Sequence, residues 1–136
     1  MSRYIGFLRA INITGRTIKM ERLRGLIEAL GFDNVATFIA SGNVIFDTAE
    51  GDTVALEGRI EDQLREELGY EVITFLRTPA EVAAIAAREP FGPDEAAEAF
   101  ATMVALLKAP PAKAAREKLM AYRSASDDFH VHGREV

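Results

Sequence analysis

Arg9, Asn12, Thr14, Gly15, Arg16 and Lys19 lie between positions 9 and 19, and Ser41-Gly42-Asn43 follows some twenty residues later. Guanidinium and ammonium groups beside amide and hydroxyl donors can hold a small carboxylate or phosphate. Lys19 is expected in the first turn of a helix, whose exposed amides favour an anion. The plainer reading is that Asn12 and Gly15 are turn residues, Gly42-Asn43 is a hairpin turn, and Arg16 and Lys19 are solvated cations.

Other chemistries have less to work with. Asp128, His130 and His132 would share one face of a regular strand, where two imidazoles and a carboxylate can take a divalent metal. The alternative is an exposed strand end, and no metal site is assigned. Ser41 has no histidine near it in sequence to act as its base, and neither Gly-x-x-x-x-Gly-Lys-Ser/Thr nor Gly-x-Gly-x-x-Gly occurs. The chain contains no cysteine, which removes disulfides, iron–sulfur clusters, thiolate zinc sites and a thiol nucleophile. No cofactor is implied.

With 16 Lys and Arg against 21 Asp and Glu the net charge is -5, so nothing global attracts a phosphate backbone. Phe38, Phe46 and Phe75 stand in strand-like segments without the Lys/Arg-Gly-Phe-x-Phe pattern of an RNA-reading sheet. Nucleic acid is not an expected partner. The segment from Met1 to Gly6 lacks a signal peptide's apolar stretch, and no apolar run nears the ~20 residues of a membrane span. A cytoplasmic location is the expectation, with no membrane partner.

The elements that must position these residues follow from periodicity. Tyr4–Ile11 reads as a strand running into the turn-rich segment 12–16. Met20, Leu23, Ile27 and Leu30 mark a helix ending near Gly31. Val35–Ala40 and Val44–Asp47 read as paired strands, with Gly42-Asn43 at the centre of a type II′ turn. Leu56, Ile60, Leu64 and Leu68 mark a second helix, capped by Asp52 and stopped at Gly69, and Val72–Leu76 is again a strand. Thr78-Pro79 opens a further helix. Residues 95–109 fit either helix or a buried strand at Phe100–Leu107. A last helix through Leu119 and a strand Phe129–His132 complete the chain.

The order β-α-β-β-α-β through residue 77 is that of a ferredoxin-like half, with helices over one face of an antiparallel sheet. The predicted fold is therefore α+β, residues 1–77 forming that half and residues 78–136 a smaller α/β half with antiparallel or mixed sheets. In this topology the 12–16 loop and the 41–43 turn share one end of the sheet, their tips about 10 Å apart with one strand between them.

Leu8-Arg9-Ala10-Ile11-Asn12-Ile13-Thr14-Gly15, then Lys19-Met20 and Leu23, then Thr37-Phe38-Ile39-Ala40-Ser41-Gly42-Asn43-Val44-Ile45-Phe46, resemble domain-of-unknown-function family 1697, a group of uncharacterised bacterial proteins. The family pattern is closer to Leu-Arg-Gly-Ile-Asn-Val-Gly-Gly, so Ala10, Ile13 and Thr14 depart from it, and two lost glycines argue against a backbone that hugs a phosphate. The resemblance implies a two-part α+β structure, a strand at Phe100–Leu107, and a C-terminal segment continuing beyond Val136. It implies no activity. The functional expectation is a small anionic ligand-binding or regulatory module at the Arg9–Arg16 and Ser41–Asn43 end. The alternatives are a homodimer or interaction module using the open sheet, and an enzyme of unknown chemistry.

Overall fold

A computed structural model gives the protein's structure, describing residues 1–40 and 42–136. Its described elements are β1 (Ser2–Leu8), α1 (Met20–Glu28), β2 (Asp33–Phe38), β3 (Asn43–Thr48), α2 (Thr53–Leu68), β4 (Thr74–Arg77), α3 (Pro79–Ala87), α4 (Pro93–Glu98) and α5 (Lys113–Met120). The protein is α+β, and it divides into two compact units, Met1–Ala86 and Ala87–Val136. Among the described residues no helix is long and apolar enough to cross a membrane.

The first unit is built on a four-stranded antiparallel sheet in the order β2-β3-β1-β4. Alternation along β1 and β3 turns Tyr4, Leu8, Val44 and Phe46 to one face, where they are buried, while their neighbours are less covered. The helices supply the opposing layer. Leu23 and Ile27 of α1, and Leu56, Ile60 and Leu64 of α2, recur every three or four residues and are wholly buried. Phe32, just before β2, stacks on Phe46 with ring centroids 4.4 Å apart.

Helix ends are set by the residues the spacing singles out. The Asp52 carboxylate accepts from the Val54 and Ala55 amides, each at 3.1 Å, and Gly69 closes α2 at φ 81°. At α3 the Thr78 hydroxyl accepts from the Glu81 amide, and the Glu81 carboxylate accepts from the Thr78 amide. That reciprocal pair is a capping box ahead of Pro79 at the first helical position.

β4 is an edge strand with occupied amides. Glu57 Oε2 accepts from the Leu76 amide and Glu61 Oε1 from the Thr74 amide, both at 3.0 Å. Carboxylates one helical turn apart on α2 thus meet amides two residues apart on β4. The rises of helix and strand, about 1.5 and 3.3 Å per residue, make the two repeats commensurate.

The second unit departs from its predicted elements. Neither Phe100–Leu107 nor Phe129–His132 forms a strand. The first contributes one bridge, Leu106 to Glu135, and the second one, His132 to Glu135. Ala105 exchanges both backbone hydrogen bonds with Val136, and the Leu107 amide donates to the Arg134 carbonyl. A strand needs a ladder to continue and an apolar face to cover. Here pairing ends after three residues, and Phe100, Met103 and Val104 stay exposed. The helical reading of 95–109 holds only at its start, in α4. None of the described residues from Ala87 onward is buried.

Candidate functional site

The loop of residues 9–19 leaves β1 beside the β2–β3 hairpin, because β1 and β3 are hydrogen-bonded neighbours. The Leu8 amide donates to the Gly42 carbonyl at 3.0 Å. No strand separates the two loops, contrary to the one expected between them, and they touch. Asn12 joins them. Its Nδ2 donates to the Ala40 carbonyl at 2.7 Å, and its Oδ1 accepts from the Ile18 amide at 2.8 Å, at the approach to α1. Both ends of the amide are thereby used on backbone, which makes Asn12 the tie of this end of the sheet.

The hairpin is not the predicted Gly-Asn turn. Phe38 pairs directly with Asn43, so Asn43 opens β3 and is no part of the turn. The Asn43 Nδ2 donates back across the hairpin to the Phe38 carbonyl. Ile39 sits at φ 54° and Gly42 at φ 92°. At Gly42 the side chain of Ile11 fills the space a Cβ would need, so the position excludes any larger residue on both counts. Ser41 lies outside the described residues.

A third loop, 69–73, completes this end. The Arg9 amide donates to the Ile73 carbonyl at 2.9 Å, and the Tyr70 hydroxyl donates to the Ile11 carbonyl at 3.4 Å. The Arg16 guanidinium lies over the Tyr70 ring, 4.4 Å from its centroid. Tyr70 was not among the expected site residues. An aromatic just past the helix stop at Gly69 is its only local signal, and its partner is 59 residues away.

Arg9, Asn12, Thr14, Gly15, Arg16, Lys19, Gly42 and Asn43 therefore stand on, or next to, loops tied together at one end of the sheet. Thr14 and Gly15 form the exposed tip of the 9–19 loop, which Ile13 and Arg16 close with a 2.8 Å backbone bond. Lys19 is the N-cap residue of α1 rather than a member of its first turn, and its side chain makes no cap bond. Residues 2–20 include Arg3, Arg9, Arg16 and Lys19 and no acid, and residues 34–46 include no acid either. Arg3 is used at the far end of β1, bonded at 2.8 Å to Asp47. Arg9, Arg16 and Lys19 take part in none of the ion pairs among the described residues. The nearest acid in the third loop, Glu71, is exposed and equally uninvolved. In a chain of net charge -5, three cations at this end thus stand outside the ion pairs among the described residues, with Glu71 in the third loop and Glu21 in the first turn of α1 as the acids near them in sequence.

The second unit offers less. The strand that would align Asp128, His130 and His132 is absent, and Asp128 pairs instead with Arg123 at 2.6 Å. Among the described residues no three His, Asp or Glu side chains cluster closely enough to hold a metal ion. An open cleft of about 300 Å³ is lined by Arg116, Met120, Phe129, His130 and Val131; there Arg116 donates to the Val131 carbonyl.

The structure is that of an α+β protein with a cluster of side-chain-tied loops at one end of its sheet. The whole chain, residues 1–136, matches the family described as a protein of unknown function (DUF1697), and the chain belongs to that family. Among solved structures it is similar to a conserved bacterial protein, SP0830 from Streptococcus pneumoniae, at 23% identity and a TM-score of 0.58. That match covers 66% of this chain and 49% of the other, so the present chain spans about half the length of that one. Among curated proteins none matches.

Proposed function

We propose that this protein binds a small anionic ligand, a carboxylate or phosphate, at the end of a ferredoxin-like half formed by the 9–19, 39–42 and 69–73 loops. The element order β-α-β-β-α-β with strands ordered β2-β3-β1-β4 supports the ferredoxin-like reading. The observation that carries the ligand reading is the trio Arg9, Arg16 and Lys19, left without ion pairs among the described residues of an acidic chain. Arg16, held against Tyr70, is oriented in advance, and a planar guanidinium suits a bidentate oxyanion. Asn12 and Gly42 shape the loops instead of contacting the ligand.

Thermal unfolding against a panel of phosphates and carboxylates tests this. A ligand at 100 times its Kd adds ~2.7 kcal/mol, which for a chain of this size raises the midpoint by about 5 to 15 °C. The rise is expected to vanish in Arg9→Ala. No shift across the panel would remove the reading.

A second reading, assembly into a homodimer, draws support from the sheet edges. Glu57 and Glu61 occupy the β4 amides, which leaves β2 as the edge able to accept another strand. Its segment Val35-Ala36-Thr37-Phe38 carries no charge and no proline. Light scattering that gives a monomer mass at high protein concentration would dismiss it.

A further inference from the structure

Of the five exposed large apolar side chains of the first unit, Ile13 (51%), Phe38 (63%) and Ile39 (60%) belong to the joined loop end, and Met1 and Val54 do not. Ile13 stands in the 9–19 loop, Phe38 and Ile39 at the hairpin, and the Asn12 bond to Ala40 holds those loops together. Ile39 is the more telling of the three. It is β-branched and sits at φ 54°, a left-handed conformation such residues rarely adopt. Exposure to water and a strained backbone both disfavour this residue type, and neither is offset by packing in the core. Strain kept at an exposed position points to function.

Exposed apolar side chains and cations outside the ion pairs thus stand on the same tied loops. Of the exposed apolar residues of the second unit, Phe100, Met103 and Val104 lie in a sequence stretch with no Lys or Arg from Phe91 to Leu107, while Tyr122 stands next to Arg123 and four residues after Lys118. Resting on the anion-site reading above, we infer that the ligand is amphiphilic: its phosphate or carboxylate meets Arg9, Arg16 and Lys19, and an aromatic or aliphatic body lies on Ile13, Phe38 and Ile39. Arg16 over Tyr70 adds a flat cationic surface next to that apolar one. Removing exposed apolar area from water when such a body binds supplies affinity that a bare oxyanion cannot recruit.

The test is calorimetric titration of the whole chain with inorganic phosphate and with phenyl phosphate. Phenyl phosphate is expected to bind at least tenfold more tightly. Ile39→Asn, which suits the left-handed backbone and so preserves the fold, should bring the two affinities within about threefold. Arg9→Ala should weaken both. Equal affinities in the unmodified chain would overturn the amphiphile inference while leaving the anion site standing, whereas binding of neither probe would remove both. Co-sedimentation with phosphatidylglycerol vesicles in a protein that ignores phenyl phosphate would also overturn it, because the surface would then serve a membrane instead of a small molecule.

Discussion

The two units are made from similar proportions of apolar residues and put them to opposite use. In Met1–Ala86 the buried hydrophobic side chains run from Tyr4 to Leu76 and form one core. In Ala87–Val136 none of the described residues is buried, and Phe100 is fully exposed. Apolar content alone does not make a core; what differs is the partner layer. α1 and α2 each bring a stripe of buried residues to a four-stranded sheet, whereas the second unit offers three residues of backbone pairing and short helices with no buried face. Stability should therefore reside in the first unit.

Side-chain deletion gives the largest contrast. Ile60→Ala, in the wholly buried stripe of α2, should cost about 2 to 5 kcal/mol in urea unfolding, and Phe100→Ser should change stability by less than about 0.5 kcal/mol. Comparable losses at the two sites would break the comparison. Glycine replacement sharpens it. Gly42 and Gly133 both have positive φ, but an added Cβ meets Ile11 at the first and only the Glu135 carboxylate, at 3.6 Å, at the second. Gly42→Ala should cost about 2 to 4 kcal/mol and Gly133→Ala about 1 kcal/mol.

The smallest expected effect is in acid. The Arg3 guanidinium and then the Asn34 amide, both hydrogen-bonded to Asp47, hold its carboxyl down from 3.8 to about 2. A carboxyl with a depressed folded pKa stabilises above its unfolded pKa and loses that contribution as pH falls through the folded one. The difference in midpoint between the natural chain and Asp47→Asn should hold steady above pH 5 and shrink from about pH 4 to 2. A constant difference over that range would show that the row Arg3–Asp47–Asn34, which crosses β1, β3 and β2, contributes nothing through charge.

What the sequence disclosed was whatever is decided locally. Asp52, Gly69 and the Leu56–Ile60–Leu64 spacing define α2 almost to the residue, and Thr78-Pro79 does the same for the start of α3. The hairpin's strands were legible but its turn was not, since an isoleucine at positive φ has no propensity signal and Gly42-Asn43 satisfies a simpler rule. The error at Phe100–Leu107 is of another kind. A continuous apolar run specifies a strand only if a sheet is there to receive it, and a pattern within one segment carries no information about its partner. For the site, the loops and their cations were visible, while the roles within them were not: Asn12 is spent on Ala40 and Ile18, and Tyr70 enters through a distant contact.

Ala10 occupies a place where the family pattern has glycine, yet its backbone stays at φ 56°. The loop's path is imposed from outside it, by the Arg9 amide on Ile73, the Tyr70 hydroxyl on Ile11 and both ends of the Asn12 amide. A loop fixed by its neighbours has already lost its conformational entropy at folding. A ligand bound there, as proposed, would not repay that loss, and its association should be fast and nearly free of rearrangement.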